Sequence, residues 1–290
     1  MHATLTGTDV STSALALGCA RLGSALTPLG RRECIALVEQ AFQLGILHFD
    51  TASVYGQGDS ERFIGEALAA HRADVCIASK AGQRLTSKQV LMSQFKAPIR
   101  WLAARRPNVR ASVSAHRAQG VPRCFESDYL EHSLHESFKR LGTDYLDLFY
   151  LHSPDLEVLS DDKLMTRMQG LRQRGLFRAF GVSCDEIEVA WAAAKHEAVQ
   201  VVQFAFDHSE EHHALLEMLA INGKSAILRG FVHAPTEDKA PGTALSRSFA
   251  KTLHLPAVRG LIVGTTKIPH LQQNVAAFER AVNDGALHGT

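Results

Sequence analysis

Several features that would narrow the reading are missing from this 290-residue chain. Its five cysteines (Cys19, Cys34, Cys76, Cys124 and Cys184) are odd in number and none forms a C-x-x-C pair. That argues against a disulfide framework and a thiolate metal site, and it makes a reducing cytoplasm the expected location. No apolar run approaches the roughly 20 residues that a membrane helix needs. A dominant charge is lacking too: 31 Lys and Arg stand against 30 Asp and Glu, a net charge of +1. Neither nucleic acid nor a membrane surface is therefore an expected partner. The opening stretch, MHATLTGTDVSTSAL, has no basic region followed by an apolar one, so no signal peptide is expected. No linker rich in Pro, Gly or Ser divides the chain, which reads as one domain over residues 1–290.

What is present is a recurring unit. Short apolar runs rich in β-branched and aromatic residues alternate with longer segments of helical period. The strand candidates are 14–19, 46–50, 75–80, 146–152, 179–184, 201–206, 225–230 and 260–265. In RRECIALVEQAFQLG, Ile35, Val38 and Phe42 fall three or four apart and Gly45 can end the helix. CDEIEVAWAAAKH opens with Asp185 three residues before Glu188, a capping-box pattern. Strands alternating with helices point to parallel strands buried on both faces. The simplest α/β architecture for this length is a closed (β/α)8 TIM barrel. A doubly wound open sheet is the alternative, but no G-x-G-x-x-G follows the first strand.

Residues 81–126 break the regularity. They carry nine Lys and Arg against one acid, Glu126, a local charge of +8 that leaves −7 for the rest of the chain. The segment follows the third strand, on the side where such barrels do chemistry. Within it Leu91 and Phe95 lie four apart before Pro98, which suggests a short amphipathic helix. One reading is a solvated excursion anchored by Trp101 and Leu102. The other is a lid whose cations attract an anionic substrate or a cofactor's phosphates.

The strand ends deliver Cys19, Asp50, Lys80, His152, Ser183 with Cys184, Gln203, Arg229, and Gly264 with Thr265 to one rim. Asp50, Lys80 and His152 come from three strands, and Tyr55 follows Asp50 by five residues in a Gly-rich turn. Such a set suits proton transfer to a carbonyl. Tyr is a weak acid at neutral pH, and a nearby ammonium pulls its pKa down. Asp50 would hold Lys80 charged and oriented, and His152 could steer the substrate oxygen.

Three stretches carry a family resemblance. HFDTASVYGQGDSERFIGEAL resembles the D-T-A-x-x-Y-G motif of the aldo-keto reductases, with its trailing S-E-x-x-I-G. CIASK resembles the strand that presents the family's active-site Lys, and SLHESFKRLGTDYLDLFYLHSPD resembles the signature that ends in the active-site His. The resemblance runs from about Leu15 to Asn274. It implies an NAD(P)-dependent oxidoreductase with a carbonyl or alcohol substrate, Tyr55 as general acid/base, Lys80 and Asp50 tuning it, and His152 orienting the carbonyl. GVSC resembles the family's G-V-S-N, so Ser183 and Gln203 would hold the carboxamide of the nicotinamide, with Cys184 in place of an Asn. Arg229 stands where the family often places a Tyr against the ring, and a guanidinium can stack similarly. GTTKIPHLQQN resembles the adenosine-phosphate clamp: Thr265, Gln273 and Asn274 fit, while Gly264 stands for a Lys and His270 for an Arg. Lys267 could substitute as a point charge, and Thr265 and Thr266 precede a helix N-terminus that favours an anion. NADP(H) and NAD(H) both stay open.

Other features carry less. His48 alternates with Asp50 onto one strand face and reads as a packed core residue. EEHH at 210–213 points around a helix and reads as a solvated start, not a metal site. Oligomeric state is open, with a monomer compatible. A cofactor-sensing regulatory barrel with little turnover is the alternative function, and a metal-dependent hydrolase is a distant third, because no His-x-His lies on the first strand.

Overall fold

The computed structural model describes residues 2–24, 27, 29–85, 122–233 and 241–287. Eight parallel strands close into a barrel: β3 (Leu15–Gly18), β4 (His48–Asp50), β5 (Cys76–Ala81), β6 (Leu146–His152), β7 (Phe177–Ser183), β8 (Val201–Ala205), β9 (Ser225–Arg229) and β10 (Val258–Val263), with β10 pairing back onto β3. These are the eight strands expected from the apolar runs, displaced by two residues at most.

Helices α1 (Arg31–Gln43), α2 (Asp59–Leu68), α3 (Ser127–Leu141), α4 (Leu156–Leu159), α5 (Asp162–Gln173), α6 (Ile187–Lys195), α7 (Glu210–Ile221), α8 (Pro241–Leu253) and α9 (Ile268–Leu287) follow the strands. Gly45 does lie just past α1, at φ 82°, which L side chains rarely adopt. The capping box expected at Asp185 does not form: the N-cap of α6 is Glu186, without a side-chain cap bond. Asp185 is drawn instead to Arg229 across the barrel rim, because a charge-assisted bond outweighs a local cap.

Because each strand is buried on both sides, its sequence is largely apolar, yet its two faces do different work. On β6, Phe149 and Leu151 pack outward with the helices, whereas Leu148 and Tyr150 pack inside the barrel. Cys76, Ala78, Ala179, Val201 and Ile227 share that inner layer. Continuing the same alternation by two residues reaches Lys80, His152, Gln203 and Arg229, and by four on β7 it reaches Ser183. The site residues are thus the topmost inward positions of their strands.

A feature absent from the sequence reading closes the other end. Strands β1 (His2–Thr4) and β2 (Ser11–Ser13) form an antiparallel hairpin. Its turn carries Leu5 and Val10, both fully buried against the inner layer. The hairpin is pinned where Thr6 N–H donates to Ser225 Oγ at 2.8 Å and Arg178 reaches Asp9 and Asp147. The basic segment 81–126 falls largely outside the described residues, including Trp101, Arg105 and Arg106.

Candidate active site

The turn after β4 explains the Gly-rich motif. Tyr55–Gly58 forms a 3₁₀ turn in which Gly56, Gln57 and Gly58 have φ of 53°, 57° and 89°. A Cβ on Gly56 would stand 2.4 Å from the Leu22 carbonyl oxygen, so only glycine lets the two loops touch. Polar residues of the same motif brace the turn from beneath. Ser60 Oγ donates to the Cys19 carbonyl at 2.9 Å and lies 2.8 Å from Thr51 Oγ. Glu61, fully buried, accepts from Ser79 Oγ at 2.6 Å and from Arg140 Nε at 2.5 Å.

The four expected catalytic residues meet. Lys80 Nζ donates to Asp50 Oδ2 at 2.6 Å and to the Thr51 carbonyl at 2.8 Å. It also lies 5.1 Å from the Tyr55 ring centroid. The Tyr55 and His152 rings meet edge to face, centroids 5.6 Å apart. Gln203 Nε2 donates to Asp50 Oδ1 at 2.7 Å, and Ser183 Oγ donates to Gln203 Oε1 at 2.8 Å. One hydrogen-bonded chain thus runs from Ser183 through Gln203 and Asp50 to Lys80.

The electrostatics correct one expectation. Lys80 does draw the Tyr55 pKa down, but burial raises it by more, and the phenol ends above its ordinary value. A phenol stripped of water holds its proton. For Lys80, burial disfavours the charge, but Asp50 and Tyr55 together outweigh it and hold the ammonium above its usual range. Burial, followed by the charges of Lys80, Arg229 and Arg123, pushes His152 well below the usual imidazole value, so its ring is neutral.

These groups open onto a cleft of about 390 Å³ at the carboxyl ends of the strands. Asp50, Tyr55, His152, Ser183, Gln203, Arg229, Gly264 and Thr265 line it. Other residues singled out for a cofactor stand differently. Cys184 lines no part of the cleft: its thiol is packed in the core between barrel and helices, where burial raises its pKa. Strand alternation alone turns it away, since Ser183 points inward. Arg229 donates to the Cys184 carbonyl at 2.9 Å and to Asp185 Oδ1 at 2.7 Å. Thr265 Oγ accepts from the Lys267 N–H at 3.1 Å, shaping the turn into α9. Thr266, Lys267, His270, Gln273 and Asn274 follow on that turn and the start of α9, beyond the cleft lining. The histidines at 212 and 213 sit at the start of α7, with His212 Nδ1 2.5 Å from Asp207 Oδ1. Arg21, Gln83 and Asp185 line the cleft and were missed. Their only signal was a place within a few residues of a strand end.

The sequence model of the aldo/keto reductase family matches residues 14–240. The chain belongs to the aldo/keto reductase family. Pyridoxal 4-dehydrogenase of Microbacterium luteolum is 24% identical over 96% of this chain and 92% of its own. An aldo-keto reductase from Pseudomonas aeruginosa superposes with a TM-score of 0.75 at 24% identity, covering 97% of this chain and 95% of that one. An aldo/keto reductase from Klebsiella pneumoniae, solved with NADP and acetate, superposes at 0.65 with 19% identity, covering 94% and 88%. Among the described residues no helix of this family member is long and apolar enough to cross a membrane, and no cluster of His, Cys, Asp or Glu is arranged to hold a metal.

Proposed function

We propose that this aldo/keto reductase is an NAD(P)(H)-dependent oxidoreductase interconverting a carbonyl and its alcohol, with Tyr55 as the general acid/base. The observation that carries this reading is the convergence of Tyr55, Asp50 and His152 on one cleft, with Lys80 buried behind them, bonded to Asp50 and beside the Tyr55 ring. A nicotinamide fits the opposite wall, where Ser183 and Gln203 offer a hydroxyl and an amide already aligned by a mutual hydrogen bond. The NADP in the Klebsiella relative supports that cofactor class. When bound, the nicotinamide supplies or accepts the hydride.

In the reducing direction Tyr55 donates its phenolic proton to the carbonyl oxygen. Its raised pKa means that the proton is in place at neutral pH. The phenolate left behind faces the Lys80 ammonium, which Asp50 and the Thr51 carbonyl hold in position. His152, neutral, can offer a ring N–H to the same oxygen without competing as an acid. Asp50 is shared between Lys80 and Gln203, so the proton-donating half and the proposed nicotinamide wall are mechanically linked. At the proposed phosphate end, Gly264 and His270 stand where the family's clamp has cations, which leaves Lys267 as the nearby charge.

Tyr55→Phe keeps the ring and removes the proton. It should lower turnover by about 10² to 10⁴ while leaving cofactor binding near wild type. Absorbance of the reduced nicotinamide, followed with NADPH and with NADH over an aldehyde, ketone and sugar panel, measures both rate and cofactor choice. Wild-type turnover in this variant would remove Tyr55 from the reaction.

A further inference from the structure

Among the described residues, both carboxylates that line the cleft are already paired, one of them by a lysine that lies behind the lining. Asp50 is engaged by Lys80, and Asp185 by Arg229. Arg21 also lines the cleft, and its guanidinium makes no hydrogen bond or ion pair among the described residues. It is the uncompensated charge of the described cleft wall.

Its backbone, by contrast, is fixed. The Arg21 carbonyl accepts from Ser24 N–H at 3.3 Å and from Thr27 Oγ at 2.8 Å. The following Leu22–Gly23 pair presses on the turn that begins at Tyr55: the Leu22 carbonyl excludes a Cβ at Gly56, and Asp59 Cβ would stand 2.5 Å from one at Gly23. The loop carrying Arg21 is therefore registered directly to the proposed proton donor. Around the barrel, β3 neighbours β4 and lies opposite β7, which bears Ser183. Arg21 and Ser183 therefore line one cleft from opposite sides, and Tyr55 and His152 line it with them.

We propose that Arg21 is the specificity residue for an anionic substituent, a carboxylate or phosphate carried by the carbonyl substrate. The inference rests on the oxidoreductase reading and adds the substrate class. A guanidinium suits either anion because its planar fork matches both. The β10 loop, where a cofactor phosphate would lie, also neighbours β3, so the test must separate substrate anion from cofactor phosphate.

Wild type, Arg21→Ala and Arg21→Lys are compared on 4-carboxybenzaldehyde and benzaldehyde, which differ by the charge. The ratio of kcat/KM for the anionic over the neutral aldehyde should fall about tenfold in Arg21→Ala, the effect of losing one exposed charge-assisted contact. Arg21→Lys should recover part of the ratio, and salt should lower it in wild type. NADPH affinity, followed by its fluorescence, identifies the alternative: weaker NADPH binding with an unchanged ratio would give Arg21 to the cofactor and overturn the proposal. Benzoate binding by calorimetry needs no turnover, and it should weaken in Arg21→Ala. Equal benzoate binding in the two proteins would also overturn it. Absence of turnover on both aldehydes in wild type would count against the oxidoreductase reading, with the benzoate result still deciding for Arg21.

Discussion

His48 offers a quantitative test of how the barrel interior treats charge. It lies two residues before Asp50 on β4, fully buried, and neither ring nitrogen has a hydrogen-bond partner among the described residues. Burial, with a smaller push from Lys80, outweighs the pull of Asp50 and Asp147 and brings its pKa from 6.5 to about 4. A depressed histidine contributes stability that is present above the unfolded value and lost as pH falls toward the folded one, because the unfolded chain takes up the proton first. A gap of about 2.5 units at 1.36 kcal/mol each makes the loss about 3 kcal/mol between pH 6.5 and 4. His48→Leu fills a similar volume and cannot titrate. Urea denaturation followed by circular dichroism at pH 7 and pH 4 should show wild type losing about 3 kcal/mol more than the variant. His152 and the carboxylates act on both proteins and cancel in the comparison. Equal acid losses would show that the interior accommodates an imidazolium, and the reasoning would fail.

Two further substitutions probe the same interior. Lys80→Met leaves the Asp50 carboxylate buried with Gln203 as its remaining donor, which should cost about 3 to 5 kcal/mol at pH 7 in a urea titration. Because the folded Lys80 pKa is raised, its stabilisation is complete below about pH 10.4 and fades above it. The Met variant should therefore lack that part of the alkaline loss; a variant as stable as wild type at pH 7 would refute the pairing. Gly181→Ala would place a Cβ 2.6 Å from the Tyr150 ring and from the Val201 carbonyl. Overpacking of this kind should cost about 1 to 3 kcal/mol, and an unchanged thermal midpoint would contradict it.

The barrel was legible because its signal is local. A strand buried on both faces is mostly apolar along its length, and β6, expected at 146–152, is found at Leu146–His152. That Asp50, Lys80 and His152 stand together at one rim was legible because polar groups at the ends of apolar runs are costly without a partner, whereas Tyr55 stands out only by its place in a Gly-rich turn after Asp50. The β1–β2 hairpin was missed because each strand is three residues long, with a mostly polar sequence that gives no periodicity. Cys184 was misread although the alternation from Ser183 was available. The local pattern at Asp185 reads as a helix cap because its partner, Arg229, is 44 residues away and invisible to any short stretch.

What the chain alone determined, then, is the alternation of inward and outward side chains, the glycines that permit the turn after Tyr55, and which chemical groups reach the rim. Closure of the sheet decided the rest. Only when β10 pairs with β3 does the rim become an enclosed cleft in which Asp50 is shared by Lys80 and Gln203. Only there does burial outweigh a neighbouring ammonium and keep the Tyr55 proton in place. Desolvation depends on everything packed around a group, and no local stretch of sequence contains it.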